Sequence, residues 1–534
     1  MMHTTGQPYR KHKGIEGDFD AIIVGSGMGG MTAAVMLAKQ GMRVLVLEQN
    51  SVVGGLTQSY SRGGYRWNTG LHYIGDVADP KRVTHRLFKY LTDGGIQWAP
   101  LPEIYNKMVI ADRVYEVPAG RVAFAEALKT WFPDDADAID TYMDLVVHVN
   151  RTSNAFFAQK ALPEKVASQF PKDAFAPFFE HANERTIDAL QALTSNQELI
   201  AVLCANWGDY SSPPHRSSFA MHCMLNKHYM DGGSYPVGGA AVLADNMMPI
   251  VESAGGAVYH SAEVAAIITE DGRAAGVQLT SGETVRAKTI VSNAGVQNTF
   301  GRLLSAEDRQ AFELEAKLDE VDDTYAVVGI NLGLSASAQS LGIDGANVWA
   351  HPSNDFEANL ARHKEEFDAP FPWTFTTFPS AKDPSWDETH PNKATIEMYA
   401  YTNFEHFKCW AGTPWMKRGA DYEQLKDTIK ARLLTELERF VPGVTQAIDI
   451  AEVSTPLTYE TFTKRQFGGF MGVESTPEKF SKTWLRAPSP IKGLYLSGQD
   501  VTADGIIGAL MGGLICASSV TGKDLLSEVI AATE

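Results

Sequence analysis

One stretch constrains this chain more than any other. It reads AIIVGSGMGGMTAAVMLAKQGMRVLVLE from residue 21 to residue 48. A run of β-branched and apolar residues (21–24) predicts a strand, Gly25, Gly27 and Gly30 predict a tight turn, residues 31–39 a helix, and 43–47 a second strand ending in Glu48. Each glycine has a separate reason to be there. Gly25 permits the turn, Gly27 leaves room for a pyrophosphate against the backbone, and Gly30 lets helix and strand pack closely. The helix then presents free N–H groups and the positive end of its dipole to the phosphates. Glu48 lies 18 residues beyond Gly30, close to the ~20 expected for an acid that binds ribose hydroxyls. Strand, turn, helix, strand and acid together predict a dinucleotide site.

The rest of the chain sets limits around that site. At 534 residues with 44% hydrophobic composition, it can fill the cores of two or three connected domains. A formal charge of −18 offers no basic excess for phosphate backbones, which argues against nucleic acid as a partner. Cys204, Cys223, Cys409 and Cys516 have no paired spacing and suggest neither a disulfide framework nor a metal site. His215, His222 and His228 beside Cys223 fit no standard ligand spacing, so no metal is expected. The N-terminal stretch is polar and no run of about 18 apolar residues occurs. A cytoplasmic protein is the expectation, with peripheral membrane contact left open.

Further along, the chain leaves the nucleotide domain and returns to it twice. From Pro80 to about Trp131 short helical and strand-like patterns alternate. Residues 134–230 are mostly helical, with Phe156, Phe157, Phe170, Phe175, Phe178 and Phe179 among Lys160, Lys165 and Lys172. These aromatics read either as the core of a helical subdomain or as an amphipathic surface at a bilayer. Residues 234–295 contain a helix and alternating strands with turns at Asp271-Gly272 and Ser281-Gly282. Strand-like runs at 325–334 and 394–402 and a helix at 422–440 follow. The terminal segment, LYLSGQDVTADGIIGALMGG, predicts a strand and then a helix whose small residues admit a flat ligand. The fold class expected is α/β, a discontinuous Rossmann-like domain (18–100, 234–299 and 490–534) with an inserted mixed α+β substrate domain (101–233 and 300–489).

The glycine turn, Gly54-Gly55, YPVGG, VSNAG and GQD followed by GALMGG resemble the FAD-dependent phytoene desaturase and carotenoid isomerase superfamily. TGLHYIG (69–75) and LYLSGQDVTADGIIGALMGG are most similar to its retinol saturase branch. The resemblance implies FAD and a tunnel for a long apolar substrate. It assigns Gly25, Gly27, Met28, Gly29 and Gly30 to the pyrophosphate turn, and Glu48 and Gln49 to the adenosine ribose. Gly54, Gly55 and Leu56 would run beside the pyrophosphate and ribityl chain, and Val264 would meet the adenine. Gly498 and Asp500 would hold the ribityl-phosphate end, with Ile507, Gly508, Ala509 and Met511 under the flavin. A helix N-terminus there also stabilises the negative charge of a reduced flavin.

His72 and Tyr73 follow these glycines in an apolar strip and are the candidate catalytic pair, able to move the proton that accompanies hydride transfer. Either could equally be a structural hydrogen-bonding group. Asp209, Tyr210 and Arg216 are candidates for a substrate head group. No second GxGxxG occurs in mid-chain, so electrons are expected to come from or go to a quinone, oxygen or a redox protein. The resulting expectation is an FAD-dependent oxidoreductase that saturates or desaturates a carbon–carbon bond in a carotenoid, retinoid or unsaturated fatty acid. The alternatives are a non-redox, FAD-dependent isomerase of a polyene and, from another class, a prenyl or lipid escort protein.

Overall fold

The computed structural model describes residues 6–171, 173–210, 212–322 and 324–534. Lys172, grouped above with the aromatic helices, lies outside the described residues. The nucleotide side is built on a six-stranded, wholly parallel sheet. Its strands run in the order Gln7–Pro8, Ala257–His260, Val44–Leu47, Ala21–Val24, Thr289–Ser292 and Leu494–Leu496. Ala21–Val24 and Val44–Leu47 are buried at every position, as uninterrupted apolar strands covered on both faces must be. The helices Met28–Lys39, Val242–Ser253 and Gly505–Thr521 pack in this layer. The first of them starts three residues earlier than its apolar periodicity predicts, because the glycine turn itself enters the helix.

The strands of this sheet come from segments hundreds of residues apart. Its core also takes up Leu303, Leu304, Leu314 and Val321, and later Val473, Trp484 and Leu485. A small antiparallel meander, Val264–Glu270, Arg273–Leu279 and Thr284–Arg286, flanks it. Its first turn places Asp271 at φ 50° and Gly272 at φ 72°, the left-handed pair that suits a tight hairpin.

The second large element is a seven-stranded mixed sheet ordered Ile448–Ser454, Ala326–Leu334, Ala394–Thr402, Thr374–Thr377, Asn347–His351, Ile104–Ile110 and Arg113–Pro118. Alternation along its central strands separates two faces. Val328, Ile330, Leu332 and Met398 pack on one side with Ile429, Leu433 and Leu437 of the helix Ala420–Glu438. Val327, Trp349, Phe375 and Tyr399 belong to the opposite face, in a core shared with the helices between Ala136 and Tyr229. In that helical segment Phe156 and Phe178 are buried and stacked with centroids 4.2 Å apart. Phe157, Phe175 and Phe179 are half-buried around them, and Phe170 is exposed. No single described helix is long and apolar enough to cross a membrane.

Candidate active site

A single cleft of about 1800 Å³ of empty space, mouth included, lies where the two sheets meet. One wall is made of backbone. Gly25, at φ 91°, turns the chain from strand to helix. A Cβ at Gly30 would fall 2.1 Å from the Gly25 carbonyl oxygen, one at Gly29 2.5 Å from Gly498 Cα, and one at Gly55 2.7 Å from Gly27 Cα. No side chain fits at these positions, so three chain segments close to backbone contact around a groove that bare peptide lines. Gly27 caps the helix N-terminus without a side-chain cap, which leaves the first-turn amides for an anionic ligand.

Glu48 stands at the end of its strand, buried, and both carboxylate oxygens are engaged. Oε2 accepts from the Ser26 amide (3.0 Å) and hydroxyl (2.6 Å), and Oε1 accepts from the Asn50 amide (2.9 Å). The Ser26 hydroxyl in turn accepts from the Gly54 amide at 2.9 Å. Glu48 therefore ties the glycine turn to the Gly54-Gly55 segment while lining the cleft with Gln49 and Asn50.

From the far end of the chain, Gly498, Gln499 and Asp500 close the other side. Asp500 accepts from the amides of Val296 (2.8 Å) and Val473 (2.9 Å). Burial alone would raise its pKa, but Arg465 at 3.6 Å and the two N–H donors outweigh it and hold the carboxyl below its ordinary value. The helix Gly505–Thr521 points its N-terminus into the cleft, with Gly505, Ile506 and Ala509 on the surface.

Most residues assigned to the cofactor thus converge. Gly25, Gly27, Met28, Gly29, Glu48, Gln49, Gly55, Leu56, Val264, Gly498, Asp500 and Ala509 all line the cleft. Others support it from behind. Gly30 and Gly54 close the turns, and a Cβ at Gly508 would fall 1.8 Å from the Ala503 carbonyl oxygen, so this glycine seals the first helical turn. Ile507 and Met511 pack against the parallel-sheet core instead of lining the cleft.

The opposite wall is made of side chains. One row of the seven-stranded sheet pairs Trp349 with Phe375 and Phe375 with Tyr399, and all three rings line the cleft with Trp373, Val327, Tyr459 and Phe470. His72 sits against this row, its ring centroid 5.3 Å from Phe375 and 5.1 Å from Tyr399. Its Nδ1 lies 3.1 Å from Oε2 of the fully buried Glu397, whose Oε1 accepts from the Asn68 amide at 2.7 Å. Asp209 also lines the cleft and accepts the Tyr73 hydroxyl at 2.7 Å. Burial pushes the Asp209 carboxyl up to about 7, against the Tyr73 hydrogen bond and the charge of Lys382. Burial likewise pushes Lys382 down to about 7, against the attraction of Glu397 and Asp209.

Three expected contacts turn out differently. Tyr73 does not line the cleft; it is buried, stacked on Tyr229 at 4.2 Å, and reaches the cleft only through Asp209. Tyr210 is buried beside His222. Arg216, expected at a substrate head group, is bonded to Glu474 and Asp322 in a separate surface cleft, because the rigid Pro213-Pro214 turn carries it away from Asp209. The histidines behind the metal question have separate partners: His222 with Tyr142, His228 with the Gly75 amide and His215 near Glu357. Sequence reasoning missed Glu397, Lys382 and the aromatic row. Glu397 carried one signal, as the sole charge in the apolar run ATIEMYAYT.

The profile of the family described as flavin containing amine oxidoreductase matches residues 28–521. The chain belongs to this family. In keeping with the backbone cradle, it is an FAD-dependent oxidoreductase. This flavin oxidoreductase is similar to the zebrafish (Danio rerio) all-trans-retinol 13,14-reductase, 33% identical over 95% of this chain and 87% of the relative. It is also similar to prolycopene isomerase 2 of an Oncidium hybrid cultivar, 26% identical over 94% of this chain and 84% of the relative. Among solved structures, an oxidoreductase from Methanosarcina mazei superimposes with a TM-score of 0.62 at 16% identity, covering 94% of this chain and 100% of that one. That likeness speaks for the fold alone.

Proposed function

We propose that this flavin oxidoreductase saturates one carbon–carbon double bond of a long conjugated substrate, of which all-trans-retinol is the representative to test. The observation that carries the reading is the junction of two unlike walls in one cleft: a peptide-lined cradle for FAD, and a row of rings with His72 and Asp209 set among them. Flat aromatic faces suit a flat polyene. The named reductase relative, aligned over nearly the whole chain, supports this reading.

Saturation adds a hydride to one alkene carbon and a proton to the other. Bound, reduced FAD supplies the hydride; the protein has to hold the polyene, keep out water and deliver the proton. Trp349, Phe375 and Tyr399 orient the chain by packing along it. Glu397 fixes His72 through Nδ1, which leaves Nε2 as the imidazole nitrogen for the cleft. The two electrons come in turn from a small reductant or a redox protein. Since such a substrate resides in membranes, peripheral membrane contact from a cytoplasmic location belongs to the same proposal, with Val166 and Phe170 exposed on the helical segment.

The test is anaerobic incubation of the flavin-reduced holoenzyme with all-trans-retinol. A product heavier by two hydrogens is the expected result. A product of unchanged mass would identify an isomerase instead.

A further inference from the structure

We infer that Asp209 is the group that protonates the substrate carbon in this reaction, with Tyr73 and Lys382 as the positioning residues that govern its proton. The inference rests on the saturating reading of the same cleft. It departs from the sequence expectation, which placed the proton on His72 or Tyr73.

Geometry separates the three candidates. Tyr73 is buried away from the cleft and spends its hydroxyl on Asp209. His72 faces the cleft but is paired with Glu397, a carboxylate buried in full. That pairing takes up Nδ1 and, with the rings of Phe375 and Tyr399 against it, ties the imidazole to the sheet wall. Asp209 is half-buried and lines the cleft. Tyr73 occupies Oδ2, so Oδ1 is the oxygen left to carry the proton.

The surroundings of Asp209 hold that proton in place. Facing it are Tyr73 from the strip after the cradle, Tyr105 from the strand Ile104–Ile110, Tyr229 from the helix Phe219–Tyr229, and Tyr325 at the entry to the strand Ala326–Leu334. Burial raises all four phenols, so they stay neutral at physiological pH. Lys382 is the amine of the group, held down to about 7 by burial and cationic below that, with Glu397 and His72 beyond it. Its ammonium is bonded to the Thr377 hydroxyl (2.6 Å), the His72 carbonyl (3.2 Å) and the Asn347 side-chain oxygen. All three are neutral acceptors, so Lys382 acts on Asp209 only from a distance and offsets only part of the rise that burial causes, instead of fixing it as a carboxylate. In the saturating step the hydride from reduced flavin forms one C–H bond as the π bond breaks. The Asp209 O–H breaks to form the second, and the carboxylate is reprotonated from water before the next turnover.

The experiment uses holoenzyme with its flavin reduced, mixed anaerobically with all-trans-retinol. In the wild type the rate of flavin reoxidation should fall as pH rises through about 7. Asp209→Asn should keep its flavin and lose about 10²–10⁴-fold in rate, while Asp209→Glu recovers part of it. Tyr73→Phe, by removing a hydrogen bond that favours the carboxylate, should move the pH break upward; an unchanged break would remove Tyr73 from the scheme. An Asn variant within about threefold of the wild type would overturn the assignment, general acid catalysis being worth far more. Infrared difference spectra across the same pH range separate the two ways of failing. A protonated-carboxyl band present in the wild type and absent from Asp209→Asn, with no reduction of retinol, overturns the saturating reading. Retinol reduction without such a band overturns the role of Asp209, and loss of both overturns both.

Discussion

The two walls of the cleft differ in how they are made. The cofactor wall consists of peptide from short contiguous runs, 25–30, 54–56 and 498–509, and its key contacts are places where a Cβ would collide. The substrate wall consists of side chains delivered one or two at a time by strands and turns from residue 72 to residue 470. The first is fixed by excluded volume, the second by sheet register. Backbone cradles tolerate almost no substitution, whereas a wall of rings can change shape residue by residue without losing the cofactor.

Substitutions that act on one wall and spare the other test this contrast. The largest effect should come from Gly27→Val, whose side chain enters the phosphate groove beside Asn293. Bound flavin, read from visible absorbance per mole of protein, should fall by about two orders of magnitude, since the groove depends on close backbone approach; a yellow variant would break the contrast. On the other wall, Trp349→Ala removes a buried ring whose centroid lies 4.4 Å from that of Phe375. It should lower unfolding free energy by about 3–5 kcal/mol and weaken polyene binding, with flavin content unchanged. Denaturant titration and flavin absorbance report the two effects separately. His72→Ala removes a ring that holds the substrate wall in shape; it should slow turnover by about one to two orders of magnitude through misplaced substrate and keep its flavin, marking the imidazole as part of the substrate wall only.

Glu48→Gln keeps the shape but weakens the bonds that tie Ser26 and Asn50 to the strand end. A loss of about 1–2 kcal/mol in flavin affinity is expected, measured by the flavin released on dilution, with little change in turnover of the flavin-loaded enzyme. The smallest effect on turnover, none within error, should come from Arg216→Ala, which touches neither wall. Its effect is on stability and depends on pH. Burial raises the pKa of Glu474 against its bonds to Arg216 and Ser212, so the ionised form costs the folded state more as pH rises through the folded pKa. Without Arg216 that cost grows, and the loss in melting temperature should be larger at pH 8 than at pH 5.

The same contrast explains what could be read from the chain. A site made of backbone leaves its mark in residue type, because only glycine satisfies positions such as Gly25 and Gly30 and their spacing follows local geometry. The parallel sheet, the cradle and Glu48 were legible for that reason. The row Trp349, Phe375 and Tyr399 exists through register between strands up to 50 residues apart, and no local spacing encodes such a pairing. Glu397 was visible as an isolated charge in an apolar strand, but its partner His72 lies 325 residues away. Tyr73 and Tyr210 misled because a polar residue beside a cleft residue in sequence points, half the time, away from the cleft. Lys382 gave no signal at all, since its importance lies entirely in its burial.

The central claim is that the ring-lined wall presents a double bond for net reduction by the cofactor held on the other wall. It is tested most directly by following flavin and polyene absorbance together in one anaerobic cuvette after adding a limiting amount of all-trans-retinol to reduced holoenzyme. The account expects one flavin reoxidised for each conjugated double bond lost. A polyene spectrum that changes while the flavin stays reduced would contradict it.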